Sequence, residues 1–114
     1  MSDARLPAAL EAAGLVRRAE AAGDFAAILK RGDPDRGALL LVVASRGRHF
    51  ACLERSLAPD GAYLWRRVGP VENAESEEVA GFLAQRARFD ADSWAIELDI
   101  ADAERFIAET TSEG

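Results

Sequence analysis

Apolar residues recur along this chain in two periods, and the switches between the periods lay out its elements. From Leu6 to Ala22 the spacing is helical, with Leu6, Leu10, Ala13 and Val16 near one face of a stretch rich in Ala, Leu, Arg and Glu. Gly23 is the expected stop. Gly14, inside the run, lowers its helical preference by about 1 kcal/mol relative to Ala. Strands are then expected over Phe25 to Arg31, Ala38 to Ser45, His49 to Arg55 and Ala62 to Val68. The links between them are short and rich in turn formers: Gly32-Asp33-Pro34-Asp35, Arg46-Gly47-Arg48 and Ala58-Pro59-Asp60-Gly61. Short links join antiparallel neighbours, because parallel strands need a crossover of roughly a dozen residues. A four-stranded meander is the simplest topology.

After Gly69-Pro70 the helical period returns. Val79, Phe82, Leu83, Arg86 and Phe89 trace one face, and Asn73 or Ser76 is the expected cap. Glu75, Glu77 and Glu78 suit the positive end of the helix dipole, and Arg86 and Arg88 suit the other end. Period two then reappears from Ser93 to Ile100. Trp94, Ile96, Leu98 and Ile100 point one way, and Ala95, Glu97 and Asp99 the other. A short helix around Phe106 and Ile107 closes the chain, before a frayed tail at 110–114.

The sum is a single two-layer α+β domain over residues 1–114, in the order αββββαβα, with an ordered core at about 5–109. Its sheet is an antiparallel meander of four to five strands, with two main helices and a short C-terminal one. One strand breaks the alternation. Ala38 to Ala44 is apolar on both faces, which places it centrally. Its second face is then expected to lie under the first helix, the terminal helix or a second copy of the chain, the last making a homodimer possible.

Composition narrows the classes of function. The net charge of −6 is uneven: residues 1–70 carry 11 Lys/Arg against 8 Asp/Glu, a balance of +3, and residues 71–114 carry 3 against 12, a balance of −9. An acidic second half opposes phosphate, so nucleic acid is not the expected partner. No apolar run approaches the roughly 20 residues that span a bilayer, so no membrane association is expected. The start MSDARLPAALEAAG lacks the basic-then-apolar order of a signal peptide. With one cysteine, Cys52, no disulfide forms within the chain, and the expected compartment is the cytoplasm.

Each candidate chemistry meets a structural alternative. Arg31-Gly32-Asp33 would be an adhesion ligand only on a secreted protein. Asp33 and Asp35 with Asp90 and Asp92 form the one candidate polar cluster, since paired carboxylates hold Mg²⁺ or act as acid and base. Asp33-Pro34 also fits the first two positions of a type I turn, and the expected role there is a hairpin. Asp90 and Asp92 sit where a helix gives way to a strand, a place where aspartates bond to backbone amides. Glu97 and Asp99, the next pair of carboxylates, fall on the polar face of their strand, where solvated acids are expected. His49 and Cys52 cannot alone build a tetrahedral zinc site. Three apart on a strand, they are expected on opposite faces, which separates a Cys-His nucleophile pair. Trp65, Arg66 and Arg67 mark a candidate interaction surface, and with Arg46, Arg48, Arg55 and Tyr63 they are the nearest approach to a single-strand nucleic-acid platform. No phosphate-cradling loop, nucleophile elbow or dinucleotide fingerprint is present.

Three stretches taken together, RRAEAAGDFAAILKRGDPDRGALLL, LWRRV and FLAQRARFDADSWAIELD, resemble a small bacterial family known as domain of unknown function 1491. The resemblance runs from about Leu15 to Asp99. It is most specific at the Gly-Asp-Pro-Asp turn of residues 32–35 and at Asp90, Asp92, Trp94 and Glu97. A proline usually sits between the two late aspartates in that pattern, and an apolar residue precedes the tryptophan; here these are Ala91 and Ser93. The resemblance implies a single cytosolic domain and carries no activity, substrate, metal or cofactor. The expected function is a small non-catalytic interaction or regulatory module. The alternatives are a metal-assisted hydrolase or phosphate-handling enzyme using the turn aspartates, and weak single-stranded nucleic-acid binding.

Overall fold

The computed structural model describes residues 7–57, 59–61 and 63–111. The elements are α1 (Ala8–Ala21), β1 (Phe25–Lys30), β2 (Leu39–Ser45), β3 (Arg48–Leu57), β4 (Tyr63–Val68), α2 (Ser76–Phe89), β5 (Trp94–Asp99) and α3 (Ala103–Thr111). Type and order follow the hydrophobic periods. Residues 110 and 111, expected to fray, close the last turn of α3, where the Thr111 hydroxyl donates to Ile107 O at 2.8 Å.

The strand order is β1-β5-β2-β3-β4. β2, β3 and β4 form the antiparallel meander, but β5 inserts between β1 and β2, antiparallel to the first and parallel to the second. The sheet is therefore mixed. The reason lies in β2, whose residues Leu39 to Ala44 are all buried. Flanking it with β3 on one edge and β5 on the other saturates both rows of its backbone bonds. The parallel pairing needs a crossover, and α2 supplies it.

Helices lie on both sides of the sheet. α1 and α3 cover Leu39, Leu41, Val43, Leu53, Trp94 and Ile96, while α2 packs Val79, Phe82 and Leu83 on Leu40, Val42 and Cys52. The second face of β2 is thus covered by α2, which was expected to share one layer with the others. The requirement that motivated a second copy is met within the chain.

Three local expectations are corrected. α1 buries Ala8 and Ala12, with Leu15, Val16 and Ala19 half-buried beside them, and Leu10 faces out at 56 % exposure. Alanines let the helix axis approach the sheet more closely than a leucine face would. Phe89, expected on the buried face of α2, is 85 % exposed at the helix end. Neither Asn73 nor Ser76 caps α2. Glu75 occupies the cap position without a side-chain bond, and Asn73 takes φ 68° with its amide donating to His49 O.

Candidate functional site

The two aspartate turns meet, and what joins them is backbone. β1 and β2 are two strand spacings apart, about 10 Å, so the link Arg31–Ala38 is not a hairpin but an arch over the first residue of β5. Asp33 N donates to Asp92 O at 2.9 Å, and Trp94 Nε1 donates to Asp33 O at 2.8 Å. Lys30 Nζ donates to Ala91 O and Ser93 O, both at 2.7 Å. Arg31 lies 5.8 Å from the centre of the Trp94 ring. The far side of the arch closes the start of α1: Ala8 N donates to Asp35 O and Ala9 N to Pro34 O. Those amides have no partner inside the helix, and Pro7 offers no side-chain cap. One loop therefore clasps β1, β2, β5 and α1 together.

Two carboxylates of this cluster, Asp33 and Asp90, serve their own turns. Asp33 Oδ1 accepts from Asp35 N at 2.9 Å and Arg36 N at 2.8 Å, and Asp90 Oδ1 accepts from Asp92 N at 3.1 Å. Asp35 and Asp92 are exposed. Among the described residues, no three His, Cys, Asp or Glu side chains converge where a metal ion would sit.

The amides of Arg36 and Asp35 hold the Asp33 carboxyl below its ordinary value of 3.8. A depressed folded-state value means stability that is present above the unfolded value and lost as pH falls through the folded one. The gap in Tm between the wild-type chain and Asp33→Asn is therefore expected to be constant near neutral pH and to close as pH drops below about 4. Thermal melts across an acid series measure it, and a gap that widens on acidification contradicts the assignment.

Trp65, Arg66 and Arg67 do not form one surface. Their pairing with Arg55, Glu54 and Leu53 puts Trp65 and Arg67 on the α1/α3 face and Arg66 on the α2 face. Trp65 is half-buried against the core with Arg55 over its ring at 5.6 Å, and Arg67 stacks over Phe50 at 5.6 Å. Arg55 also grips Glu11 of α1 in a two-pronged ion pair at 2.6 and 2.7 Å. Arg46 and Gly47 form the two-residue turn from β2 to β3, with Arg48 just after it, and Asp99 accepts from both Arg46 N and Gly47 N at 2.8 Å. The Tyr63 side chain lies outside the description.

His49 and Cys52 share a face. A β-bulge pairs Val43 with Ala51 and Ala44 with His49, leaving Phe50 as the extra residue. That insertion turns His49 to the α2 side, where Cys52 already points. Cys52 is fully buried, and burial pushes its thiol up to about 11, with Arg86 pulling weakly the other way. A thiol that stays protonated is a poor nucleophile. The His49 ring sits 3.2 Å from Pro70 O and helps pin the link between β4 and α2.

Beside His49 lies a cleft of about 440 Å³ that the sequence did not point out. α2 covers β2, β3 and β4 but stops short of β5 and β1. The floor is Val42, Ala44 and Glu97, the wall is Val79, Ala80 and Leu83 of α2, and Leu29 of β1 stands at the open side. Leu29 is 47 % exposed, and Phe25, on the same face of that edge strand, is 57 % exposed. Glu97 is half-buried, and its side chain makes no hydrogen bond or ion pair among the described residues. The available signal was FAAIL, an edge strand apolar on both faces.

Fold and site together define a small α+β domain, with a mixed five-stranded sheet whose α2 side is half open. The chain belongs to the DUF1491 family of proteins of unknown function, whose family model matches residues 6–108. Two solved structures of a DUF1491 family protein from Caulobacter crescentus CB15 are similar to it. The crystal structure has TM-score 0.77 and 28 % identity over 90 % of this chain and 94 % of that one. The NMR structure has TM-score 0.78 and 27 % identity over 97 % and 100 %. The solution structure of protein Atu0922 from A. tumefaciens is similar at TM-score 0.70 and 27 % identity, over 85 % and 87 %. No curated protein matches the chain. No helix among the described residues is long and apolar enough to cross a membrane.

Proposed function

We propose that this chain is a small cytosolic, non-catalytic binding module that receives a partner in the cleft between α2 and the β5–β1 half of the sheet. The observation that carries the reading is the uncovered apolar surface of Leu29 and Phe25 on an edge strand, continuous with a cleft floored by Val42 and Ala44. Exposed apolar surface beside a concave site is a common mark of an interaction surface. Most of the groups an enzyme would recruit are engaged elsewhere, and the exposed Asp35 and Asp92 belong to no group of three ligands among the described residues. The Asp33 and Asp90 carboxylates accept amides of their own turns, the Cys52 thiol is buried and protonated, and the His49 ring contacts a carbonyl.

Affinity capture from native cells, comparing the tagged full chain with Leu29→Asp, tests this reading. At least one protein is expected to be retained by the wild type and lost from the variant, and identical recoveries would remove the cleft as the binding surface. Millimolar Mg²⁺, Mn²⁺ or Ca²⁺ is expected to leave Tm unchanged. A metal-dependent rise that Asp33→Asn or Asp92→Asn abolishes would instead favour the aspartate turns as an active centre.

A further inference from the structure

Glu97 is the one acidic side chain on the floor of the cleft, beside the aliphatic Val42, Ala44, Val79 and Leu83, with Asn73, Glu75 and Ser76 at the rim. No side chain among the described residues pairs with Glu97. Lys30 is the only lysine and sits opposite Ala95 on the strand next to β5. Its Nζ, however, is turned to the carbonyls of Ala91 and Ser93. Arg48 and His49 line the hairpin end of the cleft, and Glu75 lines the rim at the start of α2. Asp99, the next residue of β5 on this face, is committed to the amides of Arg46 and Gly47. The charges that face the cleft thus leave an acidic floor and rim, with the one arginine at the far end.

We propose that the cleft takes a lysine side chain from an apolar segment of a partner protein, with the Glu97 carboxylate accepting its ammonium group. This assignment rests on the binding-module reading above and adds the chemistry of the occupant. A lysine stem is a flexible chain of four methylenes ending in a compact charge. It matches the aliphatic surface of Val42, Ala44, Val79 and Leu83 around the Glu97 carboxylate, with Glu75 adding a second negative charge at the rim. Arg48 repels a cation arriving from the hairpin end, so entry is from the β1 side, past Leu29. Leu29 and Phe25 extend the apolar surface well beyond the space one side chain fills. A free amine would leave them bare, whereas apolar residues flanking a lysine in a peptide would cover them. The partner is therefore a protein segment.

NMR titration of the isotope-labelled full chain tests the assignment. The probes are the blocked peptide Ac-Leu-Val-Lys-Val-Leu-Ser-NH₂, the same peptide with its lysine acetylated, and n-hexylammonium. The lysine peptide is expected to shift signals of Leu29, Ala44, Val79, Leu83 and Glu97. Acetylating the lysine, or the substitution Glu97→Gln, is expected to weaken binding about tenfold or more. Glu97→Gln keeps the side-chain shape, and an unchanged spectrum of the free variant verifies its fold. Absence of shifts at the cleft, or equal binding of the acetylated peptide, overturns the proposal. Hexylammonium binding as tightly as the peptide overturns the assignment to a protein segment. If cellular capture depends on Leu29 but is indifferent to Glu97→Gln, the binding module stands and the lysine assignment falls.

Discussion

Alanine at position 37 lowers the unfolding free energy by about 3 kcal/mol, a fall in Tm of roughly 10 °C or more for a domain of this size. Gly37 is buried, and a methyl group there would run into the Asp92 carbonyl and stand 2.7 Å from Cδ1 of the Trp94 ring. Gly32→Ala has a comparable effect for a related reason, since its methyl would meet the carbonyls of Asp92 and Ser93. Neither glycine is required by an unusual φ. The constraint is the closeness of two backbones where the arch crosses the start of β5. Backbone cannot rotate aside as a flexible side chain can, so relief requires lifting the arch. Lifting it also withdraws the carbonyls that close α1. Gly81→Ala is the internal control, because that glycine is exposed in α2 with nothing within 4 Å. It is expected to stabilise by about 0.5–1 kcal/mol through helix propensity. Urea unfolding of the three variants measures the contrast. A cost at position 37 no larger than a few tenths of a kcal/mol would mean that the arch is loosely seated.

The second large effect is at Trp94, which is 2 % exposed. Trp94→Ala is expected to cost about 3–5 kcal/mol, from lost burial and the cavity left behind. Trp94→Phe separates packing from hydrogen bonding. It keeps much of the ring and removes the indole donor to Asp33 O, which still accepts from Gly37 N at 3.2 Å, and about 0.5–1.5 kcal/mol is expected from that alone. Coupling sharpens the test. In the Trp94→Ala background Gly37→Ala should cost less than in the wild type, because one of its two collisions is gone, whereas Gly32→Ala should keep its full cost. Equal costs in both backgrounds would show that the Asp92 carbonyl alone sets the penalty at position 37.

Much of this architecture was legible in the residues. The alternation Trp94, Ile96, Leu98, Ile100 reports one buried face of β5, and all four side chains are buried. The doubly apolar Leu39 to Ala44 announced a central strand, and β2 is the middle strand of five. One aspartate of each turn, Asp33 and Asp90, acts as turn residues do, on nearby amides. The expected site surfaces fared differently. Period two in β4 itself sends Trp65 and Arg66 to opposite faces, so adjacency in sequence did not make them adjacent in space.

Local pattern determined which segments are helices or strands, which strand is central and where the chain turns. These properties depend on side-chain period and backbone preference within a few residues. Only the tertiary structure decided that β5 enters between β1 and β2, because strand order is a competition among distant edges that alternation does not register. The same holds for the bulge at Phe50, where one extra residue turns His49 to the face of Cys52. The reach of α2 was likewise decided by packing. A helix that spans β2 to β4 leaves β5 and β1 uncovered, and Glu97 becomes the unpaired floor of a cleft instead of a solvated strand acid.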